Sequence, residues 1–233
     1  MPDIKKLDGS ALKLIAVITM LIDHVAAYLL KNSNIVLISL WGRNIRLYTA
    51  MRMIGRISFP IYAFLVVEGF LHTRNVKRYA GNLLLMALLS EIPWNLVHTG
   101  KIFYSGQNVL FTLCLGLLGI WVIRDFQKDR KKEIVLLLGL LAVSILLRAD
   151  YGCSGFGFIL TLYLLREQKL YQAVIGSCFL SSRWKAGLAF IPINLYNEKR
   201  GFISGPVLKY AFYAIYPVHL FLLYLIRLSL TGY

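Results

Sequence analysis

The sequence predicts an all-α protein: a polytopic transmembrane bundle of about nine helices, with a range of seven to ten. Three observations predict it. The 233 residues are 58% hydrophobic and only 16% charged, against roughly a quarter charged in a soluble domain. Mean hydropathy is +0.64, and the apolar excess falls in blocks. The cations sit in short segments between those blocks. No soluble domain fits between them, so residues 1–233 read as one integral-membrane domain.

About 20 apolar residues cross a bilayer as a helix. On that scale the spans are 11–30, 57–73, 79–98, 108–126, 132–148, 153–166 and 207–229, with shorter runs at 169–181 and 185–197 that also read as one re-entrant hairpin. The first run follows Lys5, Lys6 and Lys13 but carries Asp-His and no small-residue cleavage site, so it reads as a retained helix. With the N-terminus in the cytoplasm, the inside segments hold Lys5 and Lys6; Arg74, Lys77 and Arg78; Arg124, Lys128, Arg130, Lys131 and Lys132; Arg166 and Lys169; Lys199 and Arg200. The outside segments after the third and fifth spans hold only Lys101 and Arg148. That bias is the positive-inside pattern of a multi-pass protein in a cytoplasmic (inner) membrane. Residues 31–56 break it with Lys31, Arg43, Arg46, Arg52 and Arg56, and "NIRLYTAMRMIGR" there reads as an amphipathic interfacial helix or an electropositive rim.

The net charge of +15 therefore reports topology and anionic-lipid contact, not nucleic acid. Cys114, Cys153 and Cys178 are odd in number and widely spaced, so they suggest neither a disulfide framework nor a zinc site.

Ionisable groups inside apolar helices are costly and mark sites or paths. Here they are numerous. The first span has Lys13, Asp23 and His24; the second has Arg56, Glu68, His72 and Thr73; the third has Ser90, Glu91, Asn95 and His98. Gln107, Asn108 and Thr112 open the fourth, "RADYG" with Asp150 ends the fifth, and "YPVHL" with His219 lies in the last. Asp23, His24, Arg56, Ser90, Glu91, Asn108 and Asp150 fall toward the outer side, His219 near mid-membrane, and Glu68 in the inner half.

Helical geometry sorts the first of these. Lys13 and His24 are eleven residues apart, close to three turns, so they share a face about 16 Å apart along the axis. Asp23 is rotated by about 100° from His24, so the neighbours diverge. His24 then needs a partner from another helix, and Asp23 a cation, with Arg56 a candidate. Histidine, with an unperturbed pKa of about 6.5, suits proton transfer near neutral pH. Ser90, three residues before Pro93, reads as part of a kink in which a hydroxyl helps satisfy the carbonyl freed by proline. The fingerprints G-x-G-x-x-G, P-loop, G-x-S-x-G and H-E-x-x-H do not occur.

Six segments in order, "LKLIAVITMLIDH", "IGRISFPIYAFLVVEGFLHT", "LLSEIPWN", "QNVLFTLCLGL", "ADYG" and "YPVHL", resemble the TraX family over nearly the whole chain. The family's namesake is a conjugal-transfer membrane protein that acetylates the N-terminus of pilin. "LDGSALKLIA" followed by "DH" is also similar to the first helix of the acyltransferase type-three superfamily. There the basic residue is commonly an arginine nearer "LDG", so Lys13 is a departure.

The resemblance implies acetyl transfer from acetyl-CoA to an amine, such as a peptide or pilin-like N-terminus, or to a hydroxyl or other small-molecule acceptor. His24 would be general base or acyl relay. Asp23, Glu91, Asn108 and Asp150 would complete the catalytic set, with Arg56 or Asn108 facing the oxyanion. Lys13, Arg52, Arg56, Glu68 and His219 would serve the donor, the basic groups meeting its phosphates. Two other classes compete. A proton-coupled transporter would use the same ionisable groups as a path, although no inverted repeat is visible. A non-catalytic component of a conjugation or secretion assembly would use them only to pair helices.

Overall fold

This computed structural model describes residues 6–40, 43–203 and 205–231; the cation Lys5 lies outside the described residues. Helix α1 spans Gly9–Leu29, and strands β1 (Val36–Leu40) and β2 (Arg43–Arg46) follow. Then come α2 (Leu47–Gly55), α3 (Ser58–His72), α4 (Val76–Thr99), α5 (Val109–Phe126), α6 (Arg130–Leu146), α7 (Gly152–Leu164) and α8 (Lys169–Phe179). A 3-10 segment, Ser181–Ala189, precedes α9 (Phe190–Asn194), and α10 (Pro206–Thr231) ends the described chain.

The helical membrane architecture is the one the apolar blocks predict. Among the described residues five stretches are long and apolar enough to span a bilayer: Gly9–Leu29, Leu47–His72, Val76–Thr99, Val109–Phe126 and Tyr210–Leu230. The remaining helices are shorter. The 13 residues of α7 rise only roughly 20 Å, less than a hydrocarbon core of about 30 Å. The run at 185–197 is not one helix but a 3-10 segment running into the five-residue α9.

The segment 31–56 also departs from expectation. Its second part, α2, is the amphipathic helix. Its first part is an antiparallel hairpin, with Ile38 opposite Ile45, Ser39 opposite Asn44, and an irregularity between Val36 and Ile38. "VLISL" is a short apolar run rich in β-branched residues, and periodicity alone does not separate such a run from helix.

The chain forms two compact units, neither contiguous in sequence. One comprises residues 1–62, 93–100 and 185–233, and the other 63–92 and 101–184. In the first, α1 packs on α2 and on α10. Its N-terminus is fastened by a small polar clasp. Asp8 caps α1 by accepting the Ala11 N–H at 2.8 Å. Leu7 pairs in parallel with Tyr196, and the Gly9 N–H donates to the Lys199 carbonyl. The Ser10 hydroxyl donates to the Arg200 carbonyl and accepts the Ile203 N–H at 2.7 Å. Thus "LDGS" acts here as a docking element for residues 195–203.

In the second unit α5 packs on α6 and α7, and α7 on α8. Gly116 allows the closest approach, since a Cβ there would collide with the Ile159 side chain. Phe158, Ile159 and Leu162 of α7 are fully buried, as are Leu117 and Ile120 of α5. The outer face of α6 is apolar as well, with Ile134, Val135, Leu138 and Leu146 exposed. Apolar side chains on both the packed and the open faces are what lipid as solvent permits, and small residues then set how closely helices approach.

Helix α4 contains Pro93. The Ser90 hydroxyl donates to the Met86 carbonyl at 2.6 Å, which corrects the expectation that it would serve the carbonyl freed by proline. A hydroxyl at i reaches i−4, and the freed carbonyl at 89 lies just behind it.

Replacing Ser10 by Ala leaves the buried Ile203 N–H without its acceptor and is expected to cost about 1–3 kcal/mol. The check is the melting temperature of purified protein in detergent, which should fall.

Candidate functional site

Within the first unit, the side chains of Asp23 and His24 leave α1 in different directions, as the helical step requires. Asp23 turns to α2. Its Oδ2 accepts from Arg52 Nη1 at 2.5 Å, and the same nitrogen lies 3.4 Å from the Asp23 carbonyl. Arg52, not Arg56, is the partner. The two arginines are one turn apart on α2, and Arg56 is already its C-cap. The helices meet closely because residue 55 is glycine: a Cβ there would collide with the Asp23 side chain.

His24 turns to α10. Its Nδ1 lies 2.6 Å from Nε2 of His219, and the ring planes differ by 4° with centroids 4.9 Å apart. A face-to-face stack would not bring those nitrogens so close. Two rings lying edge to edge in one plane do, because the centroid separation is then the N–N distance plus one ring radius at each end.

The network assigns the tautomers. Nδ1 of His219 is 2.7 Å from the Ile215 carbonyl. A carbonyl only accepts, so this nitrogen carries the hydrogen. In the neutral ring Nε2 of His219 is then an acceptor, and Nδ1–H of His24 donates to it. The proton-free nitrogen of His24 is Nε2, which has no hydrogen-bond partner among the described residues. A carbonyl at one end of the chain thus presents a lone pair at the other.

Aromatic groups surround this pair. The Tyr28 ring centroid is 5.7 Å from that of His24, and the Tyr216 centroid is 6.2 Å away. Tyr28 also reaches His98 Nδ1 at 3.5 Å, and His98 stacks on Trp94 at 4.8 Å. Near the end of α10, Arg227 donates to the Val97 carbonyl at 2.8 Å. Tyr28 is four residues after His24, and Tyr216 three before His219. That spacing on one helix face is the signal by which sequence reasoning could have found them. Lys13, on the His24 face of α1, donates to the Ile203 carbonyl at 3.4 Å.

The other predicted residues lie in the second unit. Asn108 caps α5 through Oδ1, which accepts the Leu110 N–H at 3.1 Å. Its Nδ2 donates to the Ala87 carbonyl at 2.9 Å and to Glu91 Oε2 at 2.6 Å. Both amide hydrogens are used, so none is left for an oxyanion; Asn108 ties α5 to α4. Asp150 sits in the turn between α6 and α7, where Arg148 and Tyr151 have positive φ. Its carboxylate accepts the Tyr151 N–H at 3.0 Å, and its carbonyl accepts from the Thr112 hydroxyl. Glu68 faces His72 one turn on, at 3.9 Å. Among the described residues no cluster of His, Cys, Asp and Glu could hold a metal ion.

Long apolar helices, with ionisable side chains on the first and last of them facing one another, define a multi-pass helical membrane protein. The chain belongs to the TraX family, whose model, "TraX protein", matches residues 8–227. It is 30% identical to the "Probable fimbrial assembly protein FimC, serogroup H1" of Dichelobacter nodosus, over 94% of this chain and 96% of that protein. No solved structure matches.

Gly55→Ala is expected to force α2 away from Asp23 and to destabilise the protein by about 1–3 kcal/mol, the usual penalty of overpacking. Thermal melts should show the loss. Gly81→Ala, where an added Cβ meets nothing within 4 Å, should not lower the melting temperature.

Proposed function

We propose that this protein is an acetyltransferase of the inner membrane. It moves an acetyl group from acetyl-CoA to an amine acceptor of the pilus-subunit kind, with His24 as general base. Family membership supports the reaction class, since the TraX namesake acetylates pilin. The name of the relative from Dichelobacter nodosus, a fimbrial assembly protein, supports the acceptor class. The observation that carries the reading is the in-plane chain from the Ile215 carbonyl through His219 to His24, which leaves His24 Nε2 as an unoccupied base.

The residues fit a thioester donor and an amine acceptor in that respect: transfer needs a base for the acceptor proton, and one is presented. When bound, the thioester supplies an activated acetyl carbonyl. His24 Nε2 takes the proton lost as the acceptor nitrogen bonds to that carbonyl. The leaving sulfur departs as thiolate and can receive the same proton from the imidazolium. His219 is the positioning residue. It accepts from Nδ1–H, holds the His24 ring, and strengthens its hydrogen bond when His24 becomes cationic. This is the part a carboxylate plays in a Ser-His-Asp triad. The Asp23–Arg52 pair fastens the same turn of α1 to α2 and keeps His24 in place.

The test is acetyl incorporation into an acceptor peptide by purified protein in nanodiscs supplied with acetyl-CoA. His24→Ala should lower kcat by about 10²–10⁴, the usual contribution of a general base. His219→Ala should lower kcat by less and leave KM for the peptide nearly unchanged. Full activity of His24→Ala, with normal melting, would overturn the assignment. Absence of acetyl transfer by the wild type, together with absence of acetyl-CoA binding, would favour a non-catalytic assembly role.

A further inference from the structure

In the second unit, a pocket of about 400 Å³ opens where α5 ends, α6 begins and α7 finishes. Its lining includes Arg124, Gln127, Arg130, Tyr163 and Arg166. None of these residues belongs to the site described above.

Two of the three guanidiniums are held in place by aromatic rings. Arg124 lies 4.8 Å over the Phe70 centroid, and Arg166 5.0 Å over that of Tyr163. Each arginine also spends one part of its donor set inside the chain. Arg124 Nε donates to Asp125 at 2.8 Å, and Arg130 Nη1 to both oxygens of Glu133 at 2.8 and 2.9 Å. Arg166 Nη1 donates to the Tyr163 carbonyl at 2.9 Å, and its Nε lies 3.5 Å from Glu167.

The rest of the set is unspent. Both Nη groups of Arg124, Nε and Nη2 of Arg130, Nη2 of Arg166 and the Gln127 side-chain amide have no hydrogen-bond partner among the described residues. Many donors converge on one cavity with few acceptors. Lys128, Lys131, Lys132 and Lys169 in the adjoining segments keep the region cationic despite the four carboxylates, Asp125, Asp129, Glu133 and Glu167. Guanidinium forks match phosphate oxygens in geometry as well as charge. The pocket also lies beside the end of α5 at Phe126, and the end of a helix of spanning length lies at headgroup level in a bilayer.

We propose that this pocket is a binding site for a phosphate-bearing anion, gripped by Arg124, Arg130 and Arg166 with Gln127. Two sources share that chemistry: the headgroup of an anionic phospholipid, and the phosphates of a soluble nucleotide. The lipid source stands apart from the acyl-transfer reading; the nucleotide source rests on it, because the acetyl-CoA donor carries such phosphates.

The experiment uses the full chain in phosphatidylcholine nanodiscs, with thermal stabilisation as readout and two arms. One adds phosphatidylglycerol to the bilayer; the other adds adenosine 3′,5′-bisphosphate to the solution. At least one arm should give saturable stabilisation, and the arm that does names the source. The triple variant Arg124→Gln, Arg130→Gln, Arg166→Gln should need at least tenfold more ligand. The control triple Arg74→Gln, Lys77→Gln, Arg78→Gln, which removes the same charge elsewhere, should behave as wild type. The three pocket side chains are 42%, 76% and 41% exposed, but Arg130 pairs the buried Glu133, so the melting curve of the triple variant without ligand is the check on its folding. Gln127→Glu, a single exposed change that puts a carboxylate into the pocket, should weaken binding as much and decides the matter if the triple variant is unstable. No saturable stabilisation in either arm, or equal weakening in the pocket and control triples, overturns the proposal.

Discussion

In hydrocarbon there is no water to satisfy a polar side chain, so every ionisable group on a membrane helix must find its answer within the protein. This constraint shapes the first unit. Asp23 on α1 is answered by Arg52 on α2, and His24 by His219 on α10. One turn of α1 is thereby fastened to two other helices in two directions. Between apolar surfaces that gain little from meeting in lipid, such polar contacts and the close approach at Gly55 define which faces meet.

The same contacts fix the orientation of His24. A lone histidine on a membrane helix rotates and tautomerises. His24 does neither freely, because His219 holds its Nδ1 and the Ile215 carbonyl holds His219. The ordering propagates outward along a line of hydrogen bonds that begins at the backbone. Backbone position is fixed by the helix, so the orientation of the open His24 nitrogen follows from α10 rather than from any flexible loop. Tyr28 and Tyr216 flank the pair with rings that carry polar edges, and His98 packs on the far side of Tyr28.

Polar residues elsewhere in the chain do a different task with the same side-chain types. Asn108 and Glu91 link α5 to α4, with the amide fully occupied. Asp150 and Thr112 brace the turn ahead of α7, where two non-glycine residues have positive φ. Asp8 caps α1, and Ser10 with the Gly9 N–H binds its start to residues 199–203. The same side-chain types therefore link helices at one position and leave a ring nitrogen open at another.

The sequence by itself determined what depends on local periodicity and on solvent preference. Apolar blocks marked four of the five long spans among the described residues and the second half of the other, Leu47–His72, and the 3.6-residue repeat separated Asp23 from His24 and placed Lys13 on the latter's face. Only tertiary structure decided the partners. Arg52 and Arg56 lie one turn apart on the same helix and are equivalent to any periodicity argument; the close crossing at Gly55 selects Arg52. Asn108 has the composition of an oxyanion donor and of a helix cap alike, and Glu91 with the Ala87 carbonyl settles its hydrogens. His219 lies 195 residues from His24, and no local pattern encodes a contact at that separation. Contacts between distant helices arise from how whole faces pack, which is a property of the folded chain and not of any segment within it.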